Sequence, residues 1–334
     1  MTSHKKTIIL VLFLRIILPA TVVADSDTLK GTYSLMKGMQ AVESSVLHLP
    51  FISGVSIRAS WEALEPARGE FDWRYIDNAL REVKKANKKA MLRVLPGIHS
   101  PQWVYSRGIR IFEMKDLKRR SNDFGKIRKT PLPWDEVYLS EWIRFVDALG
   151  RRYGSDDTVI LVHMAGPTIN SAEMHLPKRG EARQKILDAG YSKEKLVKAW
   201  RKVIDAYSVA FSGRALALNI AVPLMRDGSL EEIIRYGLSK VGKRLCIQGN
   251  WLTGHTNQRY YPYELMTRLK KEDNVTIGFQ MLAAAAWKKR RQGSLEESVQ
   301  KGLDAGAQYF EIYEMDILEN RNRQLLEKLD KKLR

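Results

Sequence analysis

Eight short apolar segments recur along this chain of 334 residues, and amphipathic helical stretches separate most of them. Apolar spacings of three and four, as in WIRFVDALGRRY and LVKAWRKVIDAYSVAF, indicate the helices. Such an alternation is typical of a parallel sheet covered by helices. The segments predicted as strands are 31–36, 52–60, 90–96, 158–165, 215–221, 244–249, 275–282 and 307–313.

Eight strand and helix alternations favour a closed (β/α)8 TIM barrel of the α/β class over an open doubly wound sheet. The hydrophobic content of 44% is enough for one large core. The first strand is not followed by the glycine-rich phosphate loop of a nucleotide-binding sheet. We therefore predict a single barrel domain over residues 25–334, with its ligand loops at the carboxyl ends of the strands.

The first 24 residues have the pattern of a targeting segment, with basic residues, the apolar run TIILVLFLRIILPATVV and small residues ending at Ala24. We predict a cleaved signal peptide over residues 1–24 and a secreted or periplasmic protein. Arg15 interrupts the apolar run, and a permanent membrane anchor is the alternative. No later segment has transmembrane length, so no stable membrane insertion is expected after cleavage.

The net charge of +18 makes polyanions plausible partners, but the basic residues are dispersed over helix faces and loops. No nucleic-acid-binding module is recognisable, so a nucleic-acid partner is not expected. The single cysteine, Cys246, lies in an apolar strand and is predicted to be a buried hydrophobe. No clustered His and Cys spacing predicts a metal, and the sequence predicts no cofactor.

Aromatic and polar residues gather directly after predicted strands, where a barrel places its ligand loops. A flat ring can stack on a sugar while neighbouring polar groups fix its hydroxyls, so this rim predicts a carbohydrate site. An anionic glycan is a more specific alternative, which the basic charge supports weakly. The candidate binding residues are Trp61, Glu62, His99, Trp103, Gln248, Asn250 and Trp251.

Three segments resemble clan-A (β/α)8 glycoside hydrolases, especially the β-galactosidase-like and cellulase-like members. SWEALEPARGEFDWRYIDNAL resembles their second-strand loop, and PGIHSPQWV is similar to their third-strand P-P-x-W loop. PLPWDEVYLSEWIRFVDALGRRYG followed by TVILVHMAGP resembles the helix that leads into their fourth strand. The resemblance covers most of residues 52–177 and implies a TIM barrel of the glycoside hydrolase superfamily, without specifying a substrate. We expect the substrate to be a β-linked oligosaccharide or polysaccharide.

The resemblance implies a general acid glutamate after an asparagine at the end of the fourth strand, and a nucleophilic glutamate on the seventh. Here the nearest carboxylate after the fourth strand is Glu173, three positions after Asn170. Glu173 is therefore predicted as the general acid, with Asn170 and His175 as sugar contacts. The seventh strand carries Gln280 instead, and an amide cannot attack an anomeric carbon, so Gln280 is expected only to bind substrate.

The eighth strand, AQYFEIYEMDI, is expected to point Glu311 into the barrel and to place Glu314 at the rim. Glycoside hydrolysis needs one protonated acid and one ionised carboxylate. Either glutamate could therefore be the catalytic partner of Glu173. A purely structural role for Glu311, paired with a buried Arg58 or Arg93, is an equally open alternative.

These residues predict a glycoside hydrolase with a two-carboxylate mechanism. The alternative is a non-catalytic glycan-binding barrel that kept its rim aromatics and lost its nucleophile at position 280. Three further expectations concern the surroundings of the site. His163 is predicted to be hydrogen-bonded inside the barrel, Glu65 to be a solvated structural residue, and residues 105–133 to form a loop over the catalytic face, with a mobile solvated loop as the alternative.

Overall fold

The computed structural model of the protein describes residues 29–115, 125–170 and 172–334, and only the backbone of residues 287–289. The predicted signal peptide over residues 1–24 lies outside these ranges and stays a prediction. The described strands are β1 (Gly31–Leu35), β2 (Gly54–Ser60), β3 (Lys89–Leu95), β4 (Ile111–Lys115), β5 (Ile127–Pro131), β6 (Val159–Met164), β7 (Ala215–Ile220), β8 (Leu245–Leu252), β9 (Thr276–Met281) and β10 (Ala307–Tyr313).

Most of the described α-helices lie between successive barrel strands, as the alternating pattern predicts. They are α1 (Ser44–Leu47), α2 (Trp61–Leu64), α3 (Arg74–Lys85), α4 (Gln102–Tyr105), α5 (Glu136–Tyr153), α6 (Gly180–Asp188), α7 (Lys193–Ala210), α8 (Ser229–Val241), α9 (Tyr261–Asp273), α10 (Ala285–Gln292), α11 (Leu295–Asp304), α12 (Glu314–Ile317) and α13 (Arg323–Leu333).

Within the described residues, eight parallel strands close into a barrel in the order β1, β10, β9, β8, β7, β6, β3, β2. The predicted (β/α)8 TIM barrel is therefore confirmed. All eight predicted strands are present, with ends within about two residues of the expected ones for seven of them and a three-residue extension of β8. Among the barrel strands, β6 is the fourth, β7 the fifth, β8 the sixth, β9 the seventh and β10 the eighth.

The insertion over residues 105–133 contains a hairpin that the sequence did not predict. Strands β4 and β5 pair antiparallel, with Ile111 opposite Pro131 and Lys115 opposite Ile127. Ile111 and Ile127 are exposed, and Phe112 is buried. Residues 116–124 of the insertion lie outside the described ranges.

Apolar side chains fill the amino-terminal part of the barrel interior. Tyr33, Met91, Leu161, Cys246 and Tyr309 are buried there in one cluster. The rings of Tyr33 and Tyr309 meet edge to face, with centroids 6.4 Å apart. The expectation that Cys246 is a buried hydrophobe is confirmed, and burial raises the pKa of its thiol. This part of the barrel interior is therefore largely apolar.

Helix α5 fixes the end of the fourth barrel strand. The Tyr138 hydroxyl donates a 2.6 Å hydrogen bond to the Gly166 carbonyl, and Trp142 Nε1 donates one of 2.5 Å to the Ala165 carbonyl. A Cβ atom at Gly166 would lie 2.9 Å from the Trp142 ring, so glycine permits this close approach. The loop that follows β6 therefore leaves the barrel from a fixed position.

None of the described helices is long and apolar enough to cross a membrane.

Candidate active site

Glu311 lies at the centre of a hydrogen-bonded network inside the barrel. Its Oε1 atom accepts a 2.6 Å hydrogen bond from Ser56 Oγ and lies 3.1 Å from His163 Nε2. Its Oε2 atom accepts hydrogen bonds of 2.6 Å from Arg93 Nη2 and 2.7 Å from Gln248 Nε2. The carboxylate is completely buried and has two neighbours on each oxygen. The predicted hydrogen-bonded interior role of His163 is confirmed.

The network fixes the charge state of its members. Burial favours the neutral form of Glu311, but the charge of Arg93 and the hydrogen bonds from His163 and Ser56 hold the pKa of its carboxyl group well below the usual range. Burial, followed by the charge of Arg93, lowers the pKa of His163. At neutral pH the network therefore holds an ionised carboxylate, a charged guanidinium and a neutral imidazole.

Two amide side chains that the sequence assigned to substrate binding belong to the same network. Gln280 Oε1 accepts a 2.6 Å hydrogen bond from Arg93 Nη1, and Gln248 also donates to Asn250 Oδ1 at 2.7 Å. Gln248 is completely buried, Gln280 is 7% exposed and Asn250 is 5% exposed. Their amides are used inside the barrel, which corrects the expectation that Gln248 and Gln280 lie open to a sugar.

Glu173 lies at the mouth of the barrel, in the loop after β6. The backbone N–H of Met174 donates a 2.9 Å hydrogen bond to the carbonyl of Asn219 near the end of β7, which ties this loop across the neighbouring strand. After burial, the charge of Glu173 contributes to the raised pKa values of Tyr260 and Tyr313. Glu173 is half-buried, and so are Asn170 and His175 on either side of it.

Glu314 is the first residue of α12 and directly follows Tyr313, the last residue of β10. It is half-buried, and burial followed by the charge of Glu43 raises the pKa of its carboxyl group, while Lys37 acts in the opposite direction. The structure thus places Glu314 at the rim, as expected, beside the loop that follows β1.

The rim after β2 and β3 differs from the expected row of sugar-stacking rings. Trp61 is completely buried and packs against the rings of Trp142 and Phe145, with centroids 5.0 and 5.7 Å away. This burial corrects the expectation that Trp61 contacts substrate, because the ring has no free face. Glu62 and His99 remain at the rim, where a carboxylate oxygen lies 3.1 Å from His99 Nδ1.

Glu65 holds the side chains of the rim after β2 and β3 in place. Its carboxylate accepts a hydrogen bond from Trp61 Nε1 at 2.9 Å and forms an ion pair with Arg144, and its carbonyl accepts one from Trp103 Nε1 at 2.9 Å. Glu65 is therefore structural, as expected, but completely buried rather than solvated. Trp103 is half-buried and meets Trp61 edge to face.

The loop after β8 provides aromatic residues on the opposite side of the mouth. Trp251 is half-buried, and its Nε1 atom donates a 3.2 Å hydrogen bond to the Ile220 carbonyl. Its ring meets that of Tyr260 edge to face, with centroids 4.9 Å apart. The sequence analysis did not single out Tyr260 as a site residue, although its position in the aromatic-rich segment IQGNWLTGHTNQRYYPY was a usable signal.

The comparison with protein families identifies the chain. The model of glycoside hydrolase family 42, described as beta-galactosidase, matches residues 45–211, which is half of the sequence. The chain belongs to this family. The family 42 match includes β2, β3, β6 and Glu173, and it ends before β8, β9 and β10. Gln280, Glu311 and Glu314 therefore lie outside the matched segment.

Individual proteins are similar to this chain in part of the sequence or in the fold. Beta-galactosidase BgaH of Haloferax lucentense is 29% identical over 116 residues, which span 32% of this chain and 15% of that protein. The catalytic domain of beta-amylase from Paenibacillus polymyxa has a similar fold, with a TM-score of 0.60, 12% identity, and coverage of 93% of this chain and 100% of that one. The fold of beta-galactosidase from Halorubrum lacusprofundi is similar as well, with a TM-score of 0.58 and 12% identity. That match covers 91% of this chain and 58% of the other one.

A groove elsewhere on the described surface lacks the residues of the candidate site. A groove of about 610 Å³ runs along the outer side of α9, between residues such as Tyr261, Arg268 and Asp304, and none of its lining residues belongs to the Glu311 network. Among the described residues, no group of three or more His, Cys, Asp and Glu side chains could hold a metal ion. The carboxyl-terminal mouth of this family 42 barrel is thus the candidate active site.

Proposed function

We propose that this protein is a glycoside hydrolase that cleaves a β-linked oligosaccharide or polysaccharide at the mouth of its barrel. The observation that carries the proposal is the position of Glu173 in the loop after β6, which the Met174 N–H ties to the Asn219 carbonyl at the carboxyl end of β7. Family 42 membership supports the same reaction class. A carboxylate at this end of a barrel is where catalytic groups of such folds lie.

In the proposed mechanism, Glu173 donates a proton to the leaving oxygen and Glu314 acts on the other face of the sugar. Glu311 is unsuited to this second role because both of its oxygens already accept contacts from buried side chains. Its charge stabilises the barrel interior instead. Glu314 is half-buried at the rim and directly follows the last residue of β10.

The raised pKa of Glu314 makes its carboxylate a stronger base towards water. Because position 280 holds an amide, we expect water rather than the protein to attack the anomeric carbon. Glu314 takes a proton from that water while the water oxygen bonds to the anomeric carbon. The glycosidic bond breaks as Glu173 protonates the departing oxygen. This reaction inverts the anomeric configuration.

The remaining rim residues are proposed as sugar contacts. Trp103 and Trp251 offer partly exposed rings for stacking, and Glu62 and His99 offer polar groups for hydroxyls. The half-buried Asn170 and His175 flank Glu173 and are proposed as further contacts, whereas Asn250 is 5% exposed and accepts a hydrogen bond from Gln248 inside the barrel. We also propose that residues 1–24 direct export and are then removed. Recovery of an exported chain that begins at Asp25 would support this.

The proposal is tested by hydrolysis of a panel of aryl β-glycosides and oligosaccharides by the exported chain. Glu173→Gln should abolish cleavage of oligosaccharides but retain measurable cleavage of 2,4-dinitrophenyl glycosides, whose leaving group needs no proton. Glu314→Gln should lose both activities. Glu296→Gln, an exposed position in α11, is the matched control and should behave as the wild type.

The anomer formed first, followed by NMR, tests the inverting mechanism separately. Retention of configuration would contradict the role of Glu314 as a base. Failure of the wild type to cleave any member of the panel, or full activity of Glu173→Gln, would overturn the proposed function. Far-UV circular dichroism of each variant confirms that a lost activity is not a lost fold.

A further inference from the structure

Arg58 is a half-buried cation on β2 whose guanidinium has no acidic partner among the described residues. It is the register partner of Arg93 on β3 and lies two positions after Ser56, which contacts Glu311 inside the barrel. Side chains two positions apart in a strand share a face, so Arg58 also faces the interior. Its Nε atom donates a 2.9 Å hydrogen bond to the Met36 carbonyl.

Glu311, whose charge acts on Arg58, is already paired with another residue. Glu311 accepts a 2.6 Å hydrogen bond from Arg93, and within the described ranges no carboxylate oxygen lies within 4.0 Å of the Arg58 guanidinium. Burial, followed by the charge of Arg93, lowers the pKa of Arg58, yet a guanidinium stays charged at neutral pH. Interior cations in proteins are normally paired, and the described residues supply no anion to Arg58.

This positive charge lies at the candidate active site. Arg58 lies two residues before the carboxyl end of β2, at the same end of the barrel as Tyr313 and Glu173, and after burial the charges of Arg58 and Glu173 both act on the pKa of Tyr313. A second cation, Lys178, follows Glu173 by five residues and is half-buried, and the charge of Glu173 opposes the lowering of its pKa by burial and by Arg179. The neighbourhood of the proposed acid is therefore electropositive.

We propose that the saccharide bound at this mouth carries an anionic group, the carboxylate of a uronic acid or a sulfate ester, and that Arg58 binds it through its terminal guanidinium nitrogens. The planar guanidinium can donate two parallel hydrogen bonds to two oxygens of such a group. This inference rests on the proposed function, since it names the substrate class of the same site.

A purely structural role for Arg58 makes a different prediction. If its only function is to hold the Met36 carbonyl, replacing it should lower stability and reduce activity on anionic and neutral sugars equally. A role in recognition should change the preference between the two. The ratio of kcat/KM for an aryl β-uronide to that for the matching neutral glycoside therefore separates the two roles.

The experiment compares wild type, Arg58→Lys, Arg58→Met and a control, Arg81→Met, in which the replaced arginine is exposed on α3. Substrates are paired aryl β-glucuronide and β-glucoside, β-galacturonide and β-galactoside, and a 6-sulfated galactoside. We expect Arg58→Met to lower the anionic-to-neutral ratio by about 100-fold, as expected for loss of a charged hydrogen bond. Arg58→Lys should lose less of the ratio, because it keeps the charge.

Equilibrium binding of uronic acid and neutral oligosaccharides, measured by calorimetry on wild type and Glu173→Gln, makes the outcome independent of hydrolysis. The inference is supported if uronic acid or sulfated ligands bind more tightly than neutral ones and if added salt and Arg58→Met both weaken that binding. If such binding is found but nothing is cleaved, the proposed hydrolysis fails and the inference stands. Cleavage of neutral glycosides with no preference for either anionic substrate overturns the inference and leaves the proposed function standing. Comparison of the aryl uronides with the 6-sulfated galactoside shows whether the bound anionic group is a carboxylate or a sulfate.

Discussion

Replacing Arg93 with methionine tests the account of the barrel interior most directly. Arg93 is 3% exposed and donates to Glu311 Oε2 and to Gln280 Oε1, each at 2.6 Å, and its Nη2 atom lies 3.2 Å from His163 Nδ1. Methionine approximates the length of the aliphatic stem but carries neither charge nor donors. The change therefore leaves Glu311 as a buried carboxylate without its cation.

Removal of one member of a buried ion pair costs about 3–5 kcal/mol of unfolding free energy. Glu311 retains hydrogen bonds from Ser56 at 2.6 Å and Gln248 at 2.7 Å, so we expect a loss near the lower end, about 3 kcal/mol. That is a large fraction of the roughly 5–15 kcal/mol by which native domains are stable. The double variant Arg93→Met/Glu311→Gln should recover part of the loss, because it removes the unpaired charge.

The loss should also depend on pH. The pKa of Glu311 in the folded protein is depressed below its unfolded value, so its stabilisation is present above the unfolded pKa and is lost as pH falls through the folded pKa. Without Arg93, burial dominates and raises that pKa, so Glu311 can take up a proton on acidification. The stability difference between wild type and Arg93→Met should therefore be largest near pH 7 and shrink under acidic conditions.

Urea unfolding followed by far-UV circular dichroism at pH 7 and pH 4.5 measures these differences. Arg81→Met is the matched control, since that arginine is exposed and contacts only Asn78 Oδ1 among its hydrogen-bonding partners in the described structure. A loss below about 1 kcal/mol for Arg93→Met at pH 7 would refute the reasoning, given the expected cost of an unpaired buried charge. So would a double variant that is less stable than the single one.

Three further predictions concern other parts of the barrel. Trp61→Ala should cost about 3–5 kcal/mol in urea unfolding because it leaves a cavity in the core, and a smaller loss would contradict its buried position. Cys246 should react with Ellman's reagent only after unfolding, since the thiol is buried and its pKa is raised; rapid reaction of the native protein would contradict this. Gln280→Glu should lower the free energy of unfolding at pH 7 by about 1–3 kcal/mol, because the new carboxylate would share Arg93 with the carboxylate of Glu311. Acidification should restore part of the lost stability. Equal losses at both pH values would exclude that cause.

The barrel could be predicted from the sequence because its determinants are local. The alternation of strand and helix periodicity predicted all eight barrel strands. This periodicity is visible within a short sequence window, so no knowledge of tertiary contacts is needed to recognise it. The hairpin of β4 and β5 was not predicted, because its strands lack a continuous apolar run and expose Ile111 and Ile127.

The site was only partly predictable, because it depends on which side chains from distant strands meet. The sequence indicated that Glu311 faces the barrel interior, but it left open whether Arg58 or Arg93 is its partner. Only the register and the closed barrel bring Arg93 within 2.6 Å of Glu311 and leave Arg58 without an acid among the residues that the structure describes. The same packing buries Trp61, which the sequence pattern alone had placed at the rim.

Local sequence thus determined the order of strands and helices, the barrel and the end of it where polar residues gather, since periodicity and chain direction fix these features. Tertiary structure decided which of those polar residues remain accessible. Burial and charge pairing depend on neighbours from other strands, and these neighbours turned Glu311, Gln248 and Gln280 into an interior network while Glu173 and Glu314 stayed at the mouth.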